Sequence, residues 1–492
     1  MTVHAIGEWP ARRAMMSPDR TALLHAGNRT TYAQLARRVD RLAARLVAEG
    51  VQRGDRVAYL GPNHPAFVEA LFATALAGAI FVPLNCRLTA AELSYQLDDA
   101  EPAVLIHDPG HPPPDRSRTT LTLGPEYEAW LAGEGEPVDV LVRSDDIALV
   151  IYTSGTTGRP KGAMLSHANL IWNTVNLLAG VDVAADEVTL ISAPLFHIAA
   201  LGQTLLPTLL KGGTALITPG FDPETCLDLI EHHRVTWMFG VATMFAALAA
   251  TTRWDTADLS SLRSLMCGGA PVPESLIRAY QERGLVFCQG YGMTETAPGV
   301  TFLEASQSAA HVGSAGVPVA FTDVRLSDSG EIEVSGPNVT PGYWRDPTAT
   351  AAAFTDDGWF RTGDLACVDA HGHYRIIGRR TDMYISGGEN VYPAEVENAL
   401  HAHPHVADAA VIGVPDTRWG ETGHAFVVHT RTGTVTRADL RAFLRERLAG
   451  YKVPTYFTFV RELPRTASGK VHKGTLRTRA DCAEEGTDSP IP

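Results

Sequence analysis

The stretch Tyr152-Thr153-Ser154-Gly155-Thr156-Thr157-Gly158-Arg159-Pro160-Lys161-Gly162 gathers hydroxyls and glycines directly after an apolar run, Ile147 to Tyr152. Consecutive amides on glycine-punctuated backbone form a nest for anions, hydroxyls add donors, and glycine lets the chain approach a phosphate closely. By composition this is a phosphate loop. It is not a Walker loop, because Gly155 and Lys161 are wrongly spaced and no Ser or Thr follows the lysine. Composition alone leaves an ordinary Gly/Ser/Thr surface loop as the second reading.

Other residues with chemical potential are weaker signals singly. Glu295 reads as a solvated glutamate, Asp364 after Gly363 as a turn residue, and Lys470 in a Ser-Gly-Lys turn as a surface charge. Their surroundings change that. The segments Gly290-Tyr291-Gly292-Met293-Thr294-Glu295, Gly358-Trp359-Phe360-Arg361-Thr362-Gly363-Asp364, Gly378-Arg379 to Glu397, and Pro464-Arg465-Thr466-Ala467-Ser468-Gly469-Lys470 follow the first loop in that order. Together with the opening Thr31-Tyr32-Ala33-Gln34-Leu35 they resemble the motif set of the AMP-forming acyl-CoA synthetases, the adenylate-forming (ANL) superfamily that also holds luciferases and nonribosomal-peptide adenylation domains. The likeness spans nearly everything but the tail, and its general look is that of compact bacterial fatty-acyl-CoA synthetases.

The resemblance implies acid activation: a carboxylate attacks the α-phosphorus of ATP, pyrophosphate leaves, and the acyl-adenylate passes its acyl group to CoA. It implies that Thr153, Ser154, Gly155, Thr156, Thr157, Gly158 and Lys161 hold phosphate, and that Thr294 touches the α-phosphate. Glu295 is implied as the ligand of Mg2+, a hard cation that wants oxygen donors. Gly269, Ala270 and Pro271 are implied to face Tyr291 across the adenine, with Gln289, Gly290, Gly292, Met293 and Ile376 completing the nucleotide site. Asp364 is implied to accept from both ribose hydroxyls and Arg379 to bind ribose or phosphate. Lys470 is implied as the catalytic cation that bridges acid and ATP, a point charge on a flexible stem.

The same resemblance implies a small C-terminal domain that swings about the second residue after Arg379. That residue is Thr381, where many family members carry Asp or Lys. The face presented for thioester formation is implied to carry Gly387 and Gly388 of Ser386-Gly387-Gly388-Glu389-Asn390, where missing side chains make room for a thin ligand. Trp419 reads equally as a stack for the CoA adenine or as a packing tryptophan.

His197, in Pro194-Leu195-Phe196-His197, matches the aromatic position that gates the acyl pocket between the half-reactions, and it follows a strand run at the carboxyl edge, where ligands bind in open α/β sheets. The pocket is implied to be walled by Phe239, Val241, Ala242, Met244, Gly268, Gly292 and Ala297. Its stretches carry no Lys or Arg, so a dicarboxylate is disfavoured and an apolar aliphatic or aromatic monocarboxylic acid is expected. His401, His403 and His405 alternate about Pro404 at a helix end and read as exposed, so no transition metal is assigned.

These residues need elements to hold them. Helical and short apolar runs alternate from Tyr32 onward: Tyr32 to Glu49, Arg56 to Leu60, Ala66 to Ala77, Ala79 to Pro83, and later Ile147 to Tyr152, Leu190 to Pro194, Thr214 to Thr218, Thr236 to Gly240 and Ser264 to Gly268. That rhythm predicts parallel sheets covered by helices. After Gly313 the chain turns β-rich, with runs at Thr322 to Leu326 and Glu331 to Gly336. The charged stretch Gly378 to Asp382 separates two strand-like runs and reads as a domain junction. Beyond it come helices at Ala394 to His401 and Arg437 to Leu448 and strands at Ala407 to Val414 and Ala425 to His429.

The expected class is α/β: a large N-terminal domain of parallel-type sheets covered by helices plus a small β-rich subdomain (1–380), then a small mobile α+β C-terminal domain (381–480), then a disordered tail (481–492). The chain has 492 residues, 45% of them apolar, enough for several cores. Its 55 acidic against 41 basic side chains leave a net charge of −14, which disfavours nucleic acid and anionic lipid as partners. Six scattered cysteines form neither a disulfide framework nor a zinc-ligand spacing, and with no signal-like start or membrane-length apolar run they point to the cytoplasm. The expected partners are a small acid, ATP and CoA. Oligomeric state is not legible. An adenylating enzyme with another acceptor stays open, either a carrier protein or an arylamine receiving activated nitrite, as in diazotases; so does an inactive homologue acting as a binding module, which the intact motifs oppose.

Overall fold

A computed structural model describes residues 5–114, 119–133, 135–153, 160–269, 272–430, 433, 435–466 and 469–483, with the backbone alone for 481–483. Two large sheets dominate. In one, the strands Ile147–Thr153, Ile80–Leu84, Arg56–Leu60, Val104–His107 and Thr119–Thr122 run parallel in that spatial order, with Lys161–Ser166 and Gly342–Tyr343 added antiparallel at one edge. Ile80–Leu84 and Val104–His107 are buried at every residue, as parallel strands covered on both faces must be.

In the other, Phe287–Gly292, Ser264–Cys267, Trp237–Gly240, Val188–Ile191, Thr214–Ile217 and Thr21–His25 are parallel neighbours in that order, closed at the ends by antiparallel strands. The expected strand Leu190 to Pro194 stops at Ile191, because the next turn is fastened elsewhere: Asn63 donates to Ala193 O at 2.9 Å and accepts from the Leu195 amide at 2.7 Å.

Helices cover both sheets because their apolar residues recur every three or four positions. Tyr32–Ala48 buries Leu35, Val39, Leu42 and Leu46 on one face and is started by a reciprocal cap between Thr31 and Gln34. Pro65–Leu76 is buried nearly all round, and its charged residue, Glu69, is neutralised by Arg38 at 2.6 Å and hydrogen-bonded by Tyr127 at 2.7 Å. The greasy stretch from Glu69 to Pro83 is thus a buried helix running into a strand. No helix among the described residues is long and apolar enough to cross a membrane.

A four-stranded antiparallel sheet follows, Asp323–Leu326, Glu331–Ser335, Phe360–Val368 and Tyr374–Arg379, with its own small core around Val300, Ile332, Val334 and Tyr374. Beyond Arg379 a five-stranded sheet packs against Pro393–His401 and Arg437–Arg445, and a separate core gathers Val396, Leu400, Val411, Val427, Leu440 and Phe457. The last helix, Lys473–Ala483, occupies the first three residues of the stretch expected to lack structure, because Leu476 and Ala480, one turn apart, bury against Ile412 and Phe426; 484–492 lie outside the described residues.

His401, His403 and His405 correct the sequence expectation of exposure: all three are partly buried, since the His403 ring meets Phe443 edge-on at 4.8 Å and His401 lies 3.9 Å from Asp408.

Candidate active site

Four adjacent parallel strands deliver most of the site. His197 lies beyond the carboxyl end of Val188–Ile191, Val241 follows Trp237–Gly240, Gly268 and Gly269 follow Ser264–Cys267, and Gln289 to Gly292 close Phe287–Gly292. That edge of an open sheet is where ligands bind, because loops there are free to carry function. Phe239 and Met244 are buried beside this edge, and a side chain at Gly268 would sit 3.5 Å from the Phe239 ring and 3.3 Å from Gly290 O. Backbone therefore comes close where a side chain is absent.

The Glu295 turn is held on every side. Gly292 has no room for a side chain, since a Cβ there would lie 1.6 Å from Pro298 O. The Met293 amide donates to that same oxygen at 3.0 Å. Thr294–Thr296 is a single tight turn; Asn338 donates to Thr296 O and to Gly299 O, and the Thr340 amide donates to Glu295 O at 2.7 Å. Ala297, buried at φ +65°, ends the turn in the left-handed region. The Tyr343 hydroxyl donates to Glu295 Oε1 at 2.9 Å, and burial raises the Glu295 carboxyl above its ordinary range. Lys161 holds its ammonium 5.3 Å from the centre of the Tyr343 ring.

Tyr343 has no signal in the sequence. It sits in the two-residue strand Gly342–Tyr343, too short for any periodicity, and reaches the site by pairing with Lys161–Ser166. At the other end of the phosphate-type loop, Thr153 pairs with Lys161 across the sheet. Ser154, Gly155, Thr156, Thr157, Gly158, Ala270 and Pro271 lie outside the described residues.

A second group forms where the four-stranded sheet meets this edge. The Tyr291 hydroxyl donates to Asp364 Oδ2 at 2.7 Å, and Arg379 Nε lies 3.4 Å from Asp364 Oδ1. Asp364 and Arg379 are direct partners across the hairpin of Phe360–Val368 and Tyr374–Arg379, and Ile376 packs with Tyr291 against the small core. Burial raises the Asp364 carboxyl, opposed by the Arg379 charge. The Gln289 amide nitrogen is buried with no hydrogen-bond partner among the described residues, a donor left over beside the nucleotide-type groups.

Lys470 reaches this place from the C-terminal lobe. It is exposed as a residue, but its ammonium is desolvated among Arg379, Asp364 and Glu295, and that desolvation followed by the Arg379 charge lowers it below the ordinary lysine range. Its turn rests on the large lobe: a side chain at Gly469, φ +82°, would meet Val241 at 3.6 Å and Thr243 at 3.8 Å. The Lys470 ammonium thus faces one carboxylate from the Glu295 turn and a second carboxylate and a guanidinium from one hairpin. A lysine ammonium held among carboxylates suits charge developing on a phosphorus centre.

The residues of the other face lie in the small lobe. Gly387 packs on Trp419, whose ring a Cβ would approach at 2.8 Å, and the Gly387 amide donates to Trp419 O at 2.8 Å. Arg418 covers the indole at 4.9 Å. At the junction the Arg380 amide donates to Gly363 O at 3.0 Å, and Asp382 is 3.3 Å from Lys473 and 3.7 Å from Arg477.

With this geometry in view, the chain was compared with known proteins. The family described as "AMP-binding enzyme" matches residues 10–344 and "AMP-binding enzyme C-terminal domain" matches 395–470. A feruloyl-CoA synthase of Amycolatopsis sp is 54% identical over 97% of this chain and 100% of its own length, and the indoleacetate–CoA ligase of Aromatoleum aromaticum is 40% identical over 96% and 97%. The o-succinylbenzoate CoA synthetase of Bacillus subtilis, solved with its acyl-adenylate intermediate, superposes with a TM-score of 0.88 at 33% identity, covering 100% of both chains. The chain belongs to the AMP-binding enzymes: it is an AMP-forming acid–CoA ligase of the adenylate-forming superfamily, with ATP and CoA as substrates.

Proposed function

We propose that this ligase activates an aromatic monocarboxylic acid, and that the meeting of the Lys470 ammonium with Glu295, Asp364 and Arg379 is its adenylation geometry. That meeting carries the reading, because an ammonium set against two carboxylates and brought to them by a separate lobe is placed to offset charge growing between two reactants. The acid binds between Phe239, Val241, Ala242, Met244, Gly268 and Ala297, with His197 at its entrance. Apolar walls and a side-chain-free stretch at Gly268 support a flat, uncharged tail. The names of the 54% and 40% identical relatives, a feruloyl-CoA synthase and an indoleacetate–CoA ligase, support a ring-bearing acid.

In the first half-reaction a carboxylate oxygen forms a bond to the α-phosphorus of ATP as the bond to the pyrophosphate oxygen breaks. Lys470 holds both reactants and offsets the charge that grows between them; Thr294 and the loop from Thr153 to Lys161 donate to the phosphates. Tyr291 and Ile376 flank the adenine, with Asp364 and Arg379 on the ribose. Glu295, kept in place by Tyr343, fits as the Mg2+ ligand because it is a buried, oriented carboxylate; when bound, the ion neutralises phosphate charge. In the second half-reaction the CoA sulfur bonds to the acyl carbon, AMP leaves, and the thiol proton passes to solvent. For that step the small lobe, 381–480, swings from the large one, 1–380, about Thr381, and brings Gly387, Gly388 and Trp419 to the tunnel. The separate core of the lobe supports a body able to move as a unit. Five described cysteines, none in a disulfide, support a reducing cytoplasm as its place.

The test is pyrophosphate release with ATP and Mg2+ across ferulate, indoleacetate, o-succinylbenzoate, medium-chain fatty acids, malonate, and nitrite with an arylamine, each with and without CoA. The expected result is CoA-dependent turnover that is greatest with a ring-bearing monocarboxylate, with the thioester confirmed by mass. Turnover confined to aliphatic acids would overturn the substrate, and pyrophosphate release without a thioester would overturn the acceptor.

A further inference from the structure

A second cluster of ligating side chains lies outside this site. His311, Asp369 and His373 each offer an atom within 4.8 Å of the others. They line a pocket of about 220 Å³ together with Ser314, Cys367 and Arg375. We propose that this pocket binds a divalent transition ion of the zinc type through His311, Asp369 and His373.

The geometry is built by the hairpin that carries Asp364 and Arg379. At its turn, Asp369 Oδ1 accepts from the amides of His371 at 2.8 Å and His373 at 3.0 Å, which fixes the carboxylate and turns its other oxygen toward His311 Nδ1, 3.9 Å away. The His373 ring is 11% exposed; its Nδ1 is buried 3.8 Å from Asp369 and has no hydrogen-bond partner among the described residues. A buried imidazole nitrogen without a partner calls for an explanation, and a ligand is one.

His311 lies against His373 with ring centres 3.7 Å apart and 12° between the planes, so one ring turns about its Cβ–Cγ bond for both nitrogens to direct lone pairs at one ion. His311 is presented by the segment 307–316, which is stitched to the hairpin by Ser314 and Ala315 donating to Tyr374 O. Arg375, the cation in the pocket, faces Glu274 at 3.3 Å and Val312 O at 3.4 Å, so its charge is engaged elsewhere. Two imidazoles and one carboxylate suit zinc, cobalt or nickel, whereas Mg2+ demands oxygen ligands and would not compete. The cluster begins five residues along the chain from Asp364, about 17 Å at strand spacing, so the ion would brace the hairpin rather than meet the substrate.

The full-length chain, freed of metal by chelation, would be titrated with Zn2+ by calorimetry and with Co2+ by visible absorption, both in excess Mg2+. One equivalent is expected to bind. His373→Ala and Asp369→Asn are each expected to weaken binding by about a hundredfold or more. Asp369→Asn keeps a side-chain oxygen to accept from the two amides, so it tests the ligand without unmaking the turn. His405→Ala, in the other histidine group, is expected to change nothing. Absence of stoichiometric uptake, uptake untouched by both first variants, or uptake abolished by His405→Ala would each overturn the proposal.

Discussion

Lys470 and Glu295 are placed so that each distorts the titration of the site in opposite directions. Desolvation lowers the lysine from its ordinary 10.5 and raises the glutamate from its ordinary 4.5. Activity requiring charged Lys470 is lost as pH rises through a lowered value, and activity requiring ionised Glu295 is lost as pH falls through a raised one. The profile of kcat/KM against pH is therefore expected to be a bell narrowed on both sides, with its acid limb above 4.5 and its alkaline limb below 10.5. Lys470→Ala is expected to lower the rate of pyrophosphate formation by about 10² to 10³ with the melting temperature little changed. Tyr343→Phe removes the donor that favours the ionised glutamate, so its acid limb is expected to move further toward neutrality. The two residues differ in how they announce themselves. Lys470 is recognised by the motif around it, whereas Tyr343 owes its place to a strand pairing with residues about 180 positions earlier in the chain, and nothing local marks it.

Among the elements, the hairpin Phe360–Val368 and Tyr374–Arg379 holds Asp364 and Arg379 in register, and Tyr291 ties it to the parallel sheet through one hydrogen bond. Tyr291→Phe keeps the ring but leaves Asp364 with Arg379 alone, so a rise of about tenfold to a hundredfold in the KM for ATP with little change in kcat is expected, the worth of one hydrogen bond to a charged group. Gly387 sits at φ +61° with Trp419 where a Cβ would go. Gly387→Ala should therefore displace the indole and slow thioester formation more than pyrophosphate exchange, two rates that single-turnover assays separate. Most strands were legible because each was a short apolar run between turn residues; Arg56–Leu60 and Trp237–Gly240 fall within a residue of expectation. The sheet order was not, since Thr21–His25 neighbours Thr214–Ile217 across nearly two hundred residues. Nor was the partial burial of His401 to His405, which depends on Phe443 from a later helix.

For the molecule as a whole, two titrations of the folded state bear on acid stability. His167 is fully buried and His424 nearly so, and burial lowers each from 6.5 to about 4. The unfolded chain takes up those protons first, so the stability contributed is complete above pH 6.5 and is lost as pH falls toward 4. The melting temperature is expected to decline across that window, and His167→Gln should flatten part of the decline. Asp382, beside the junction, is held by Lys473 and Arg477 of the last helix. Asp382→Ala loosens the junction from the last helix, and on the proposed swing of the small lobe a change in the ratio of the two half-reaction rates, with ATP affinity retained, is the expected sign.

The slot beside Gly268 has one rigid wall and one adjustable wall. Gly268, Gly290 and Gly292 are confined by Gly290 O, the Met266 methyl and Pro298 O respectively, so any side chain added there displaces its neighbours. Opposite them, Val241 and Ala242 are only partly buried at the start of a helix. On the proposed placement of the acid, natural drift or laboratory selection toward new acids would accumulate at 241–243 and leave the three glycines untouched, so substrate range could diverge quickly while the proposed nucleotide site beside it stays frozen.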